Sequence, residues 1–322
     1  MKGKRAVLAQ VVHALRLDNL ARTVARSYGT NTLTVVNYHR VNEPEAVRAF
    51  DEGTLDATAE SFSQQIAFLK REYSLLDPKE LRAHLAGRKP WPRRPALITF
   101  DDGYRDNHDR AASILDQLGA KAIFFVASDY LTQRRVFWWD RISYILKHSK
   151  RTRLVIGCPQ KLEIDLNGGT TRAERQLHQL VKRDFGLDFQ RFFSELSEAA
   201  NVDWTESLER QFADELLMSW EHVRALNQAG MTIGSHTRSH RVLDTIPESE
   251  LDIELAGSRR DIEAQIGAEV WAIAYPVGYT VSNVPSIRAA LERAGYEVGF
   301  VYNRQVQRLD NFDLFDVGRL AV

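Results

Sequence analysis

The feature that most constrains this chain is a rhythm. Short runs of β-branched or apolar residues recur between longer stretches with helical spacing. The runs that predict strands are Thr32–Tyr38, Ala96–Phe100, Ala122–Ala127, Thr232–Ser235, Trp271–Tyr275, Val298–Tyr302 and a last one near Val317–Val322. Helical patterns fill the gaps at Ala59–Glu72, Pro78–Leu85, Asp106–Leu118, Trp220–Ala229, Glu248–Ile266 and Val284–Ala294. In the first of these, Phe62, Ile66 and Leu69 fall at i, i+4 and i+7 and share one buried face. Gly119, Gly230 and Gly295 each follow a helical pattern, where a residue free to turn left-handed ends a helix without strain. Strands separated by helices of this length imply βα units and a mostly parallel sheet, because a parallel strand needs a crossover to return. The fold class expected is α/β.

The segment Asp129–Ser219 breaks the rhythm. It holds Phe137-Trp138-Trp139, the turn Asn167-Gly168-Gly169 and polar-rich helical patterns around Arg172–Phe185 and Phe189–Ala200. Regular βα stretches flank it, so it reads as a helical insertion into one domain spanning 31–322, not as a second domain. Insertions on the loop side of such a scaffold form lids or substrate walls. Trp138 and Trp139 either stack on a sugar ring or anchor the insertion to the core.

Charge and cysteine content narrow the chemistry. With 43 Lys+Arg against 43 Asp+Glu, the chain lacks the basic excess of a nucleic-acid binder, and no nucleic-acid partner is expected. The single cysteine, Cys158, cannot build a thiolate metal site, so any metal must be held by His, Asp and Glu. No run approaches the roughly 18–20 apolar residues that span a bilayer. Residues 1–30 carry six basic side chains and one acid, and their apolar residues recur at helical spacing from Val7 to Val24. This predicts a basic amphipathic helix that either packs on the domain or lies on an anionic membrane surface. Gln10 and His13 interrupt its apolar run, which argues against an export signal. The location expected is the cytoplasm, and in the second of these readings the inner face of the cytoplasmic membrane. Oligomeric state leaves no mark in the sequence.

Three clusters can do chemistry, and each follows an expected strand. Thr99-Phe100-Asp101-Asp102-Gly103-Tyr104 is either a simple Asp-Gly turn or a pair of carboxylates at the edge where α/β active sites form. In the second reading one carboxylate ligates a metal and the other stays free as a base. His236-Thr237-Arg238-Ser239-His240 places two histidines at i and i+4, a spacing that can converge on one metal. Together with a carboxylate they make a His₂–carboxylate set with open positions, suited to water activation at zinc or oxygen activation at Fe(II). Ala274-Tyr275-Pro276-Val277-Gly278-Tyr279 is a tight loop for which structural punctuation is sufficient reason; Tyr275 and Pro276 are its candidates for substrate contact.

In this order the clusters resemble the leading motifs of the polysaccharide deacetylases, the NodB-homology domain of carbohydrate esterase family four. The resemblance runs from about Thr32 to the C-terminus. It implies a distorted (β/α) barrel of about seven strands, and a hydrolase that removes N-acetyl groups from an N-acetylated sugar in a polysaccharide or glycan precursor. It implies one divalent metal, usually zinc, held by Asp102, His236 and His240. It further implies Asp101 as general base and the Tyr104 backbone N–H as an oxyanion donor.

Two departures matter. No His follows His240, so the late Leu-x-His motif that carries the general acid has no counterpart. Instead Val36-Asn37-Tyr38-His39-Arg40-Val41 is similar to a subgroup resembling the poly-N-acetylglucosamine deacetylases, in which this His lies on the first strand; His39 is the general acid that this resemblance implies. The arginine that often precedes the third motif is also missing, and Arg319 near the last strand is the candidate to tune Asp101. His13, His84, His108, His148, His178 and His222 fall on helical patterns or polar loops and are expected at the surface. Two readings compete: a non-haem Fe(II) oxygenase, which uses the same ligand types but would not require Asp101 or His39, and a non-catalytic carbohydrate-binding relative, to which the missing arginine points.

Overall fold

A computed structural model describes residues 31–321 apart from Ser282, Arg304, Asn311 and Phe312. The basic amphipathic helix expected over residues 1–30 lies outside the described residues. Six parallel strands lie side by side in chain order: β1 (Thr32–Tyr38), β2 (Pro95–Phe100), β3 (Ala122–Val126), β4 (Thr232–Ser235), β5 (Ala272–Ala274) and β6 (Val298–Val301). The C-terminal segment brings the two edges together in two short pieces. Within it β7 (Val317–Gly318) pairs with Phe300 and Val301 of β6, and β8 (Leu320–Ala321) pairs with Val36 and Asn37 of β1. The result is a nearly closed (β/α) barrel with eight strands where about seven were expected. The last expected strand is two strands because the chain changes partner at Arg319.

Alternation along the strands sorts their side chains into two cores. Leu33, Val35, Leu97, Ile123, Phe125 and Phe300 fill the barrel interior. Val36, Ile98, Phe124, Val126, Ile233 and Ile273 face an outer shell of helices. That shell includes Ala59–Glu72, whose Phe62, Ile66 and Leu69 are buried as their spacing predicts and whose first turn is capped by the Thr58 hydroxyl accepting from the Ser61 N–H at 3.2 Å. Each such buried side chain contributes about 1.5–3 kcal/mol. Gly234 in β4 leaves room for the Phe125 ring, which fills the space a Cβ would need. Towards the C-terminal ends of the strands the interior turns polar, with Asn37, Thr99, Asp101 and Arg319 all buried.

Two expected helices are interrupted. Asp106–Leu118 opens with a π turn at Asn107–Ala112, and Glu248–Ile266 contains one at Ile253–Gly257. A π turn inserts one residue into the helical repeat and re-aims its neighbours. Here it lets the Asn107 amide donate to the His39 carbonyl at 2.7 Å. In the second helix the buried Glu254 carboxylate accepts the Arg238 and Ser239 N–H groups at 3.1 and 2.8 Å. Both interruptions hold loops at the mouth of the barrel.

Between β3 and β4 the chain forms helices Trp138–His148, Thr171–Arg183, Phe189–Ala200 and Glu206–Leu216, with an antiparallel hairpin of Arg153–Ile156 and Leu162–Asp165. Leu154, Leu177, Phe192 and Ala213 from this segment share one apolar cluster with the outer shell of the barrel. No helix among the described residues is long and apolar enough to cross a membrane.

Candidate active site

The strand ends gather the ionisable residues around one cavity of about 240 Å³, lined among others by His39, Asp101, Asp102, His236, His240 and Arg319. The loops that carry them are strained. Asp102 has φ 73°, Thr237 62°, His240 53° and Val277 63°. An L-residue stays in this left-handed region only when its surroundings hold it there, and for β-branched Thr237 and Val277 the cost is highest. At Asp102 this turn sends two adjacent carboxylates to different partners.

Asp102 faces the histidines. Its Oδ1 lies 3.4 Å from Nε2 of His236 and 3.4 Å from Nε2 of His240. His236 Nδ1 lies 2.7 Å from the Ala274 carbonyl, which can only accept, so Nδ1 carries the proton and Nε2 presents a lone pair to the Asp102 carboxylate. Two acceptors facing each other repel unless a cation lies between them. Three ligands about 2.1 Å from one ion in tetrahedral array sit about 3.4 Å apart, so these donors fit a divalent cation. A carbonyl holding the outer ring nitrogen is also the usual way a metal-binding histidine is oriented. Without a cation, protons on the two Nε2 atoms would have to take its place, and such imidazole donors hold the Asp102 carboxyl well below the usual carboxylate range against the opposing effect of burial. A second group, His108, Asp109 and His222, also falls within ligand distance. It fits a metal poorly: His222 Nδ1 accepts the Ser219 N–H at 3.1 Å as a helix cap, and Asp109 is occupied by Arg105 at 2.9 Å.

Asp101 faces the barrel interior. Arg319, fully buried, grips it with both terminal nitrogens, Nη1 to Oδ1 at 2.7 Å and Nη2 to Oδ2 at 2.8 Å. The Asn37 amide donates to Oδ2 at 3.1 Å, and its own carbonyl oxygen accepts from Arg319 Nη1 at 2.7 Å. Burial opposes the charge on Asp101, but the Arg319 guanidinium outweighs it and lowers the pKa. A paired guanidinium of this geometry is a strong, oriented partner that a lysine cannot imitate.

His39 follows β1 and lines the same cavity. Asp56 accepts its backbone N–H at 2.5 Å, and the same carboxylate lies 3.2 Å from its Nδ1. Burial pulls the imidazole pKa down; the Asp56 hydrogen bond and the charges of Asp56, Asp102 and Asp101 together raise it to about 9.

The remaining expected residues divide. Trp138 and Trp139 are only 4% and 5% exposed, so they anchor their helix and also line the cavity. Trp139 stands edge-on to His240 at 4.7 Å, and its indole N–H donates to the Tyr104 hydroxyl at 2.8 Å. That hydroxyl donates to Asp140 Oδ2 at 2.6 Å, which ties the tryptophan wall to the Asp101–Tyr104 loop. Tyr275 and Pro276 do not reach the cavity. Tyr275 is buried over Gly299 and donates to the Phe315 carbonyl at 2.9 Å, while Val277 and Gly278 take the expected place on the wall. The tight loop buries Tyr275 and Pro276 in packing away from the cavity, and spacing alone does not reveal that. Two histidines expected at the surface are not there: His84 is buried and stacks on Trp91, and His178 lines the cavity. His13 lies outside the described residues.

Sequence reasoning missed Asn37, Asp56, Asn107 and Glu254. Asn37 left a readable signal, since Leu33, Val35 and Asn37 share the inward face of β1 and a lone polar residue there needs a partner. Asp56 left none.

Residues 88–158 and 192–299 match the family model of the polysaccharide deacetylases. The protein YxkH of Bacillus subtilis (strain 168), whose name assigns it to the polysaccharide deacetylases, is 26% identical over 117 residues, which is 36% of this chain and 39% of that relative's length. Among solved structures, the Streptococcus pyogenes deacetylase PplD in complex with acetate is similar with a TM-score of 0.57 at 18% identity, over 91% of this chain and 93% of that one. IcaB from Ammonifex degensii reaches 0.57 at 19% identity over 91% and 93% of the two chains. The de-N-acetylase from Aggregatibacter actinomycetemcomitans reaches 0.56 at 16% identity over 90% and 94%. At these identities the likeness speaks for the fold. The family match takes in more than half of the residues, and by it this chain belongs to the polysaccharide deacetylase family.

Proposed function

We propose that the protein is a metal-dependent hydrolase that removes the N-acetyl group from an N-acetylated sugar in a polysaccharide or glycan precursor. The observation that carries this reading is the division of labour between neighbours: Asp102 turned to two histidines, Asp101 held ionised by Arg319, and His39 on the same cavity. Asp102, His236 and His240 would hold a divalent cation such as zinc, which would supply polarisation of the acetamide carbonyl and a water whose pKa is brought down towards about 7.

Asp101 takes the proton from the attacking water. Arg319 occupies one lone pair on Oδ1, and Arg319 and Asn37 together occupy both on Oδ2, which fixes the carboxylate plane and leaves a lone pair on Oδ1 to accept. The Tyr104 N–H donates to the oxyanion as it develops. His39, kept protonated at neutral pH by Asp56, gives its proton to the departing amine nitrogen, which otherwise leaves poorly. A non-haem oxygenase or a non-catalytic sugar binder has no use for a buried carboxylate held ionised next to the metal ligands. Acetate release from a panel of N-acetylated glycans and precursors, run with metal analysis, tests the reading. Metal-loaded protein that releases no acetate from any of them, or that consumes oxygen, overturns it.

The general acid must carry its proton, so activity falls as pH rises through the His39 pKa. Asp56→Asn removes the charge that raises that pKa, so the alkaline limb of the kcat/KM profile should move down by about 1–2 pH units. An unmoved limb separates Asp56 from the titration of His39. The basic residues of 1–30 hold the protein at an anionic membrane face, where lipid-linked precursors would be presented. Co-sedimentation with phosphatidylglycerol vesicles at low salt, lost near about 0.5 M salt, is the expected result. Complete recovery in the supernatant at low salt removes that part of the reading.

A further inference from the structure

The cavity has one wall that the deacetylation chemistry does not use. The helix Thr171–Arg183 buries Ala173, Leu177 and Val181 along one stripe. The next stripe, His178 and Lys182, lines the cavity together with Trp138 and the metal-ligating residues. Lys182 Nζ lies 5.9 Å from the centre of the Trp138 ring, and the His178 ring stands edge-on to the same indole at 5.3 Å. Trp138 in turn contacts Trp139 at 4.9 Å, and Trp139 contacts His240 at 4.7 Å. Two indole rings therefore separate this wall from the metal ligands, a distance that suits a substituent or neighbouring sugar and not the acetamide itself.

The charged groups at the metal-ligand end of the cavity already have partners. Asp101 has Arg319, Asp102 has His236 and His240, and His39 has Asp56. Lys182 makes no ion pair among the described residues. Asp51 is the nearby acid, but its Oδ1 accepts the Gly53 N–H at 2.9 Å as a local cap. Partial burial lowers the Lys182 pKa and Asp51, which lines the same cavity, opposes it, so the ammonium has lost solvation that no salt bridge among the described residues restores. His178 Nε2 is buried without a hydrogen-bond partner, a polar atom that costs free energy until one arrives. The family match skips residues 159–191, so this helix is not part of what the chain shares with the family model.

Resting on the deacetylase reading, we infer that Lys182 and His178 form a subsite for an anionic group, a carboxylate or a phosphate, carried beside the N-acetylated sugar. The substrate is then an acidic or phosphate-linked glycan, not a neutral one. Lys182 pairs with the anion, and His178 takes a hydrogen bond from the same sugar unit or its substituent.

The test compares three probes of equal length: a neutral N-acetylglucosamine oligosaccharide, one with a uronate as the neighbouring sugar, and one with a phosphodiester on the anomeric oxygen. Binding is measured by calorimetry and turnover by acetate release. One anionic probe should bind at least about tenfold tighter than the neutral one at low salt, with the advantage shrinking as salt rises. Which anionic probe gains identifies the anion. Lys182→Met should bring the ratio of anionic to neutral kcat/KM close to one through KM, and Lys182→Arg should restore it. Lys161→Met, an exposed change outside the cavity, should leave the ratio unchanged. Equal affinity for all three probes, or a preference that survives Lys182→Met, overturns the inference. Tighter anionic binding that depends on Lys182 but yields no acetate sustains the subsite and overturns the deacetylase reading instead.

Discussion

Asp101→Asn should lower kcat for acetate release by about 10²–10⁴-fold, the range a positioned general base supplies, and should leave the bound metal in place. Asp102→Asn should lose both activity and metal. The two residues are adjacent and equally buried, so a generic structural role would predict the same outcome for both. Their contacts differ. Asp102 Oδ1 sits 3.4 Å from each histidine Nε2, whereas Asp101 spends both oxygens on Arg319. An amide at 102 removes the anionic ligand, while an amide at 101 removes only the proton acceptor. Because Asp101→Asn also leaves Arg319 without its counter-charge, activity and metal content are read well below the melting temperature of the variant. Equal metal retention in the two variants would falsify the assignment of roles.

Arg319→Met carries the largest expected stability effect. Arg319 heads the fully buried side chains by size among the described residues, and removing it strands a buried carboxylate at about 3–5 kcal/mol. The pH dependence has a definite sign. The Asp101 pKa is lowered in the folded protein, so the pair contributes stability above the unfolded carboxyl pKa of about 3.9 and loses it as pH falls through the folded value. Without Arg319 the carboxylate protonates more readily. The deficit of the variant should therefore be full at pH 7 and shrink towards pH 4. Denaturant unfolding at both pH values checks it, and a deficit of the same size at each would show that lost packing, not the ion pair, is responsible. Arg319→Lys should recover only part of the loss, since a lysine cannot form the paired contact.

Much of the fold was legible because its signals are local. The first six strands lie within a residue or two of their expected places, and Phe62, Ile66 and Leu69 are buried as their spacing required. The site was legible for the same reason. Asp101, Asp102, His236 and His39 lie within two residues of a strand end and His240 within five, so locating the strands locates them on one rim. What escaped depends on departures from regular periodicity or on distant contacts. The π turns at Asn107–Ala112 and Ile253–Gly257 break a helical repeat that the apolar pattern continues through. Tyr275 packs away from the cavity because Gly299, on the neighbouring strand, leaves room for its ring. His178 looked like an ordinary helical surface residue until its helix was packed across the cavity.

The sequence by itself determined the βα rhythm, the parallel sheet and the chemistry available at the strand ends, since each is written over a few neighbouring residues. Only the tertiary structure decided which groups pair. Arg319 reaches Asp101 across 218 residues because the chain end closes the barrel, laying β7 against β6 and β8 against β1 with Arg319 between them. Asp56 reaches His39, and Lys182 reaches the cavity, through packing that no repeat in the sequence encodes. Ion pairs and cavity walls depend on distance in space, and in a ring of strands that distance is set by closure.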